Sequence, residues 1–147
     1  MIHVRYPEPQ FRIKNENGRK YIFDSIRKVW LLLTEEEWVR QNFVRYLVDA
    51  LNYPSTVIAL EKEILLNDLK KRFDILVYNK EHKPWMLVEC KSSLLLLSQE
   101  VLYQVLRYNI SVPAEYLIIT NGTTTMAWKK AAGQLQQLNE MPEWESY

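Results

Sequence analysis

The chain has 147 residues, 48% of them hydrophobic and 25% charged, and a formal net charge of +1; that is enough chain to bury a core without disulfides, so one domain over residues 1–147 is expected. A single cysteine, Cys90, and two distant histidines, His3 and His82, cannot make a Cys/His zinc cage or a nucleophile–histidine pair, so hydrolytic chemistry here needs another metal. No apolar run reaches membrane-spanning length and the first residues do not read as a secretory leader, so a reducing, cytoplasmic setting away from the membrane is expected.

Residues 1–30 hold seven Lys/Arg against Glu8, Glu16 and Asp24, a local net charge of +4, and Lys70-Lys71-Arg72 form a second basic cluster; each is equally readable as a solvated face. Phe11-Arg12-Ile13-Lys14 and Arg19-Lys20-Tyr21-Ile22-Phe23 flank the turn-rich Asn15-Glu16-Asn17-Gly18 and predict a hairpin within about 10–24. Thr34 with Glu37 has the spacing of a capping box, and Val39, Phe43, Leu47 and Ala50 follow at helical spacing, predicting a helix over roughly 35–52. Three strands follow at Val57–Leu66, Arg72–Tyr78 and Trp85–Lys91. Ser98 is the expected N-cap of a second helix ending near Asn109. Tyr116–Thr120 reads as a buried strand, and Thr124–Trp128 as a short further one. The pattern is ββαβββαββ, an α/β (α+β) fold with a mixed central sheet flanked by helices, a core over about 34–122, and an acidic tail from Ala131 (Glu140, Glu143, Glu145) that is only partly ordered.

The hairpin between the second and third central strands carries the chemistry. With Asn79–Pro84 as its loop, Tyr78 faces Trp85 and Asp74 faces Glu89, two like charges whose repulsion a cation would relieve. Lys91, two residues beyond Glu89, projects from the same face. Such a row among apolar neighbours is unusual in a central strand, although a solvated ion pair with Lys91 would use the same residues. Glu81-His82-Lys83 repeats the Glu-x-Lys spacing among turn residues, so the strand context carries the weight. Two carboxylates, with the main-chain carbonyl of Cys90, suit Mg²⁺ or Mn²⁺. The Cys90 thiol itself is read as a buried core group.

Asp74-x(14)-Glu89-x-Lys91 with its apolar flanks resembles the signature of the PD-(D/E)XK nucleases, with Phe73 in place of the proline. The resemblance is closest to the N-terminal nuclease domain of type I restriction enzyme R subunits in its small stand-alone form, and it runs from about Phe23 to Gly122. It passes through Leu33-Thr34-Glu35-Glu36-Glu37-Trp38, Arg72-Phe73-Asp74-Ile75-Leu76-Val77, Val88-Glu89-Cys90-Lys91 and Leu117-Ile118-Ile119-Thr120-Asn121-Gly122. It implies a restriction-endonuclease-like core, Mg²⁺-dependent cleavage of DNA, endonucleolytic in preference to exonucleolytic, and separate restriction or repair subunits as partners. Gln104-Val105-Leu106-Arg107-Tyr108 is similar to the Gln-x-x-x-Tyr motif of these nucleases and puts Gln104 and Tyr108 on one helical face; a polar stripe beside a core helix is the plainer reading. The first helix of such proteins often adds a carboxylate, for which Glu36 is preferred because Glu37 is occupied by capping; a surface pair with Arg40 competes for it. No G-x-x-x-x-G-K-[ST] is present, so a motor activity is not expected of this chain. The alternative is a non-catalytic nucleic-acid-binding or protein-interaction module on the same fold.

Overall fold

The computed structural model describes residues 1–144; Glu145, at the end of the acidic tail, lies outside the described residues. β1 (Ile13–Glu16) and β2 (Arg19–Asp24) pair through Glu16 and Arg19. They turn at Asn17 and Gly18, whose φ of 53° and 77° are the left-handed values that a two-residue hairpin requires and that these residues tolerate. The sequence reading missed a third strand, β3 (Val29–Leu32), antiparallel to β2. Its turn is closed by a side chain: Asp24 Oδ1 accepts the N–H groups of Ile26 and Arg27 at 2.9 Å each, the Asx-type substitution for backbone pairing.

α1 (Glu35–Arg45) begins as expected at Thr34, whose Oγ1 accepts the Glu37 N–H at 3.0 Å. The reciprocal half of the capping box is not made, because Glu37 is buried and its carboxylate accepts from Arg40 and Gln41. The expected continuation towards residue 52 is a π-helical turn, Tyr46–Ala50.

The central sheet has the order β4 (Ile58–Leu66), β5 (Leu69–Tyr78), β6 (Pro84–Cys90), β7 (Tyr116–Thr120), β8 (Thr125–Ala131) and β9 (Gln134–Leu138). Among the described residues only β6 and β7 are parallel, and α2 (Gln99–Asn109), N-capped by Ser98, lies in the connection that a parallel pair needs. This is the mixed α+β architecture expected. The tail departs from expectation: β9 extends the sheet, the Tyr53 hydroxyl donates to the Pro142 carbonyl, and Trp144 Nε1 donates to the Tyr78 carbonyl at 3.0 Å.

Val39, Phe43 and Leu47 pack with Ile75, Val77, Met86, Val88 and Ile118 in the main buried cluster. Val105 of α2 packs with Ile119 and Trp128 in another. Two lysines fasten the end of α2 and its exit. Lys71 Nζ of β5 donates to the Tyr108 carbonyl (2.6 Å) and the Ser111 hydroxyl (3.2 Å), and Lys130 Nζ of β8 donates to the carbonyls of Asn109 (3.1 Å) and Val112. Cations are well placed at a helix C-terminus, where carbonyls lack partners.

Candidate active site

β5 and β6 are paired in the expected register over Ile75–Val88, Leu76–Leu87 and Val77–Met86. Tyr78, however, opposes Pro84 and not Trp85, because the turn is one residue shorter than expected and an irregularity after Val77 takes up Trp85. The ladder stops at Ile75–Val88, and there the side chains take over. Asp74 Oδ2 accepts the Cys90 N–H at 2.7 Å, and the Asp74 and Glu89 carboxyl groups are close enough to act on each other's charge.

Both carboxyl groups are hard to ionise. Burial pushes Glu89 up to about 8, with the neighbouring Asp74 carboxylate adding to the effect and Lys91 opposing it. Asp74 is also raised, first by burial; the Cys90 N–H and Arg40 oppose this and Glu61 adds to it. Two adjacent carboxyls resist being charged together. The remedy is a positive charge, so the chemistry of this donor set fits a hard divalent cation that keeps several waters. Among the described residues no group of three or more His, Cys, Asp or Glu side chains is placed to hold a metal ion. The Cys90 thiol is buried, as expected.

One cleft of about 320 Å³ gathers most of the other candidates: Glu89 from β6, Lys91 just beyond the end of that strand, and Gln104, Val105 and Tyr108 from α2 line it together, with Arg72 and Asn109. The i, i+4 pair on α2 thus faces the Glu-x-Lys segment. Neither the Gln104 side chain nor the Tyr108 hydroxyl makes a hydrogen bond among the described residues, while Lys71 Nζ lies 4.6 Å from the centre of the Tyr108 ring. Glu36 is exposed on α1. Its carboxyl is raised by partial burial and by Asp74, with Arg40 and Lys91 acting oppositely, so it lies within their electrostatic reach.

The surface pair of Glu36 with Arg40 does not form. Arg40 is 8% exposed and turns inward, where it binds Glu37 through two hydrogen bonds, donates to Glu61, and approaches Asp74 Oδ1 at 3.4 Å. Glu61 has no place in the sequence reading, Arg72 enters it only in a basic cluster and at the start of a strand, and Arg40 only as a helix-surface partner. Glu61 stands in β4 between Leu60, paired with Ile75, and Lys62, paired with Phe73, which sets it opposite Asp74. It has a left-handed φ of 53°, a strained value for a non-glycine residue inside a strand. Arg72 Nε reaches Glu61 at 3.5 Å. Counting the β4–β5 register would have found Glu61; the inward turn of Arg40 has no signal in a helix that also carries Glu36.

Residues 35–142 match the family described as type I restriction enzyme R protein N terminus. A search of curated proteins finds no match. No helix among the described residues is long and apolar enough to cross a membrane.

Proposed function

The chain belongs to the type I restriction enzyme R protein N-terminal family, and on that basis we propose that it is a metal-dependent deoxyribonuclease of the PD-(D/E)XK type that works with separate restriction or repair subunits. The observation that carries this reading is the neighbouring Asp74 and Glu89 carboxyl groups, with Glu89 lining the same cleft as Lys91, Gln104 and Tyr108. Asp74 and Glu89, with the Cys90 carbonyl, would hold Mg²⁺ or Mn²⁺. That ion, when bound, supplies positive charge against the phosphodiester and lowers the pKa of an attacking water. Lys91 orients that water and offsets the charge that grows on the phosphate oxygens. Gln104 and Tyr108 hold the DNA backbone by donating to phosphate oxygens. Glu36 is a further carboxylate facing the same charges.

Cleavage of plasmid and linear DNA during titration with Mg²⁺ or Mn²⁺ tests this. Asp74→Ala and Glu89→Ala are expected to lose both metal binding and cutting, and Lys91→Ala to lose cutting while binding metal. Undiminished cutting by Glu89→Ala would refute the assignment.

A second reading is favoured by Arg40, a cation already held beside Asp74 by Glu37 and Glu61. On that reading the fold is a non-catalytic nucleic-acid-binding module, and the chain binds DNA without metal-dependent cutting.

A further inference from the structure

The three-stranded sheet has two unlike faces. One faces α1: Ile22 is fully buried, Asp24 Oδ2 accepts from Gln41 at 3.2 Å, and Phe11 packs edge-on against Trp38. Strand alternation puts Arg12, Lys14, Tyr21, Phe23, Trp30 and Leu32 on the other face, and the register aligns Lys14, Tyr21 and Leu32 in one row and Phe23 with Trp30 in the next. None of these aromatic residues joins a buried hydrophobic cluster among the described residues. Cations lie over the rings. The Arg12 guanidinium is 4.7 Å from the Phe23 ring centre and 5.3 Å from that of Trp30, and Lys14 Nζ is 4.6 Å from Trp30.

On such a face a base that stacks on one of these half-buried rings displaces the cation lying over it, and the freed Arg12 or Lys14 is then at hand for the adjoining phosphate. Among its own strands, Glu16 is the one acid on this face, ion-paired with Lys14 at 3.2 Å, while Arg12 and Arg19 add to the positive side. Duplex DNA hides its base faces, so the rings would be of no use to it. We propose that this face binds unpaired DNA, about one base stacked on Trp30 and its neighbour on Tyr21 or Phe23, with Arg12 and Lys14 on the backbone. The site is separate from the Asp74–Glu89 centre and does not depend on cleavage.

The test is binding of the whole chain to a fluorescein-labelled oligothymidylate in EDTA, which removes divalent metal, read by anisotropy and by quenching of tryptophan emission. Trp30→Ala is expected to weaken binding about tenfold to hundredfold, the loss of one stacked base. Arg12→Ala and Lys14→Ala are expected to weaken it and to reduce the slope of log affinity against log salt by about 0.7 each. Trp30→Phe keeps a ring and should retain most of the affinity, which separates stacking from misfolding. Unchanged affinity in Trp30→Ala, Arg12→Ala and Lys14→Ala overturns the proposal. So does duplex binding as tight as the single strand and lost in the same variants, or self-association abolished by Trp30→Ala with no oligonucleotide bound. A chain that never cuts DNA can still pass every arm.

Discussion

Replacing Glu89 by Gln should stabilise the metal-free protein at alkaline pH and not at acid pH. In the folded chain Glu89 ionises near 8, chiefly because of burial and then because Asp74 lies against it, whereas in the unfolded chain a glutamate ionises near 4.3. A raised folded-state value means that the folded form binds the proton more tightly. The resulting stabilisation is complete below about pH 4.3 and is lost progressively as pH rises to about 8, beyond which the folded state carries two charged neighbours. Each tenfold change in proton affinity is worth about 1.4 kcal/mol. If relaxation and water leave only a tenfold to hundredfold effect, removing the titrating group gains about 1.4–3 kcal/mol at pH 9, or roughly 3–10 °C in Tm for a domain of this size. Thermal melts in EDTA at pH 5 and pH 9 measure this directly. Added Mn²⁺ should reverse the order at pH 9, since the parent alone gains a binding partner for both carboxylates. Parent and Glu89→Gln melting alike at both pH values would refute the raised ionisation of Glu89.

Gln104→Ala and Tyr108→Phe should each weaken DNA affinity or turnover by about tenfold to hundredfold, the worth of a hydrogen bond to a charged phosphate, with metal binding unchanged. Tyr108→Phe should leave Tm unaltered, because Lys71 holds the ring and the carbonyl rather than the hydroxyl; a lowered Tm with parental affinity would mark a packing role instead. Arg40→Leu should cost about 3–5 kcal/mol in a denaturant melt, since it leaves Glu37 buried and Glu61 and Asp74 without their shared cation. A loss below 1 kcal/mol would show that solvent already screens that network.

The elements most legible in the sequence were those whose signals were local. Thr34, Ser98 and the apolar spacing behind them located both helices, and β-branched runs located the central strands to within a few residues. The β5–β6 register from Ile75–Val88 to Val77–Met86 was read correctly even though the turn was misjudged, because Trp85 adds a residue on β6 that compensates for the shorter loop. What escaped was set by partners far away in sequence. Val29–Leu32 is short and needs the Asp24-closed turn before it can pair, and Gln134–Leu138 is polar at most positions and becomes a strand only because β8 offers it an edge. Arg40 has the appearance of a surface helix residue until Glu61, brought alongside by β4–β5 pairing, gives it a reason to turn inward.

The two lysines beneath the end of α2 have a consequence for how the cleft is gauged. Gln104 and Tyr108 form its movable-looking jaw, yet that jaw is bolted at its rear to β5 by Lys71 and to β8 by Lys130. The gap between jaw and sheet is therefore calibrated by the reach of two side chains, neither of which lines the cleft. Substitutions at positions 71 and 130 would reset the bore of the cleft while leaving Glu89, Lys91, Gln104 and Tyr108 unaltered. A mutational survey confined to groups that touch substrate would pass over the parts that set its tolerance.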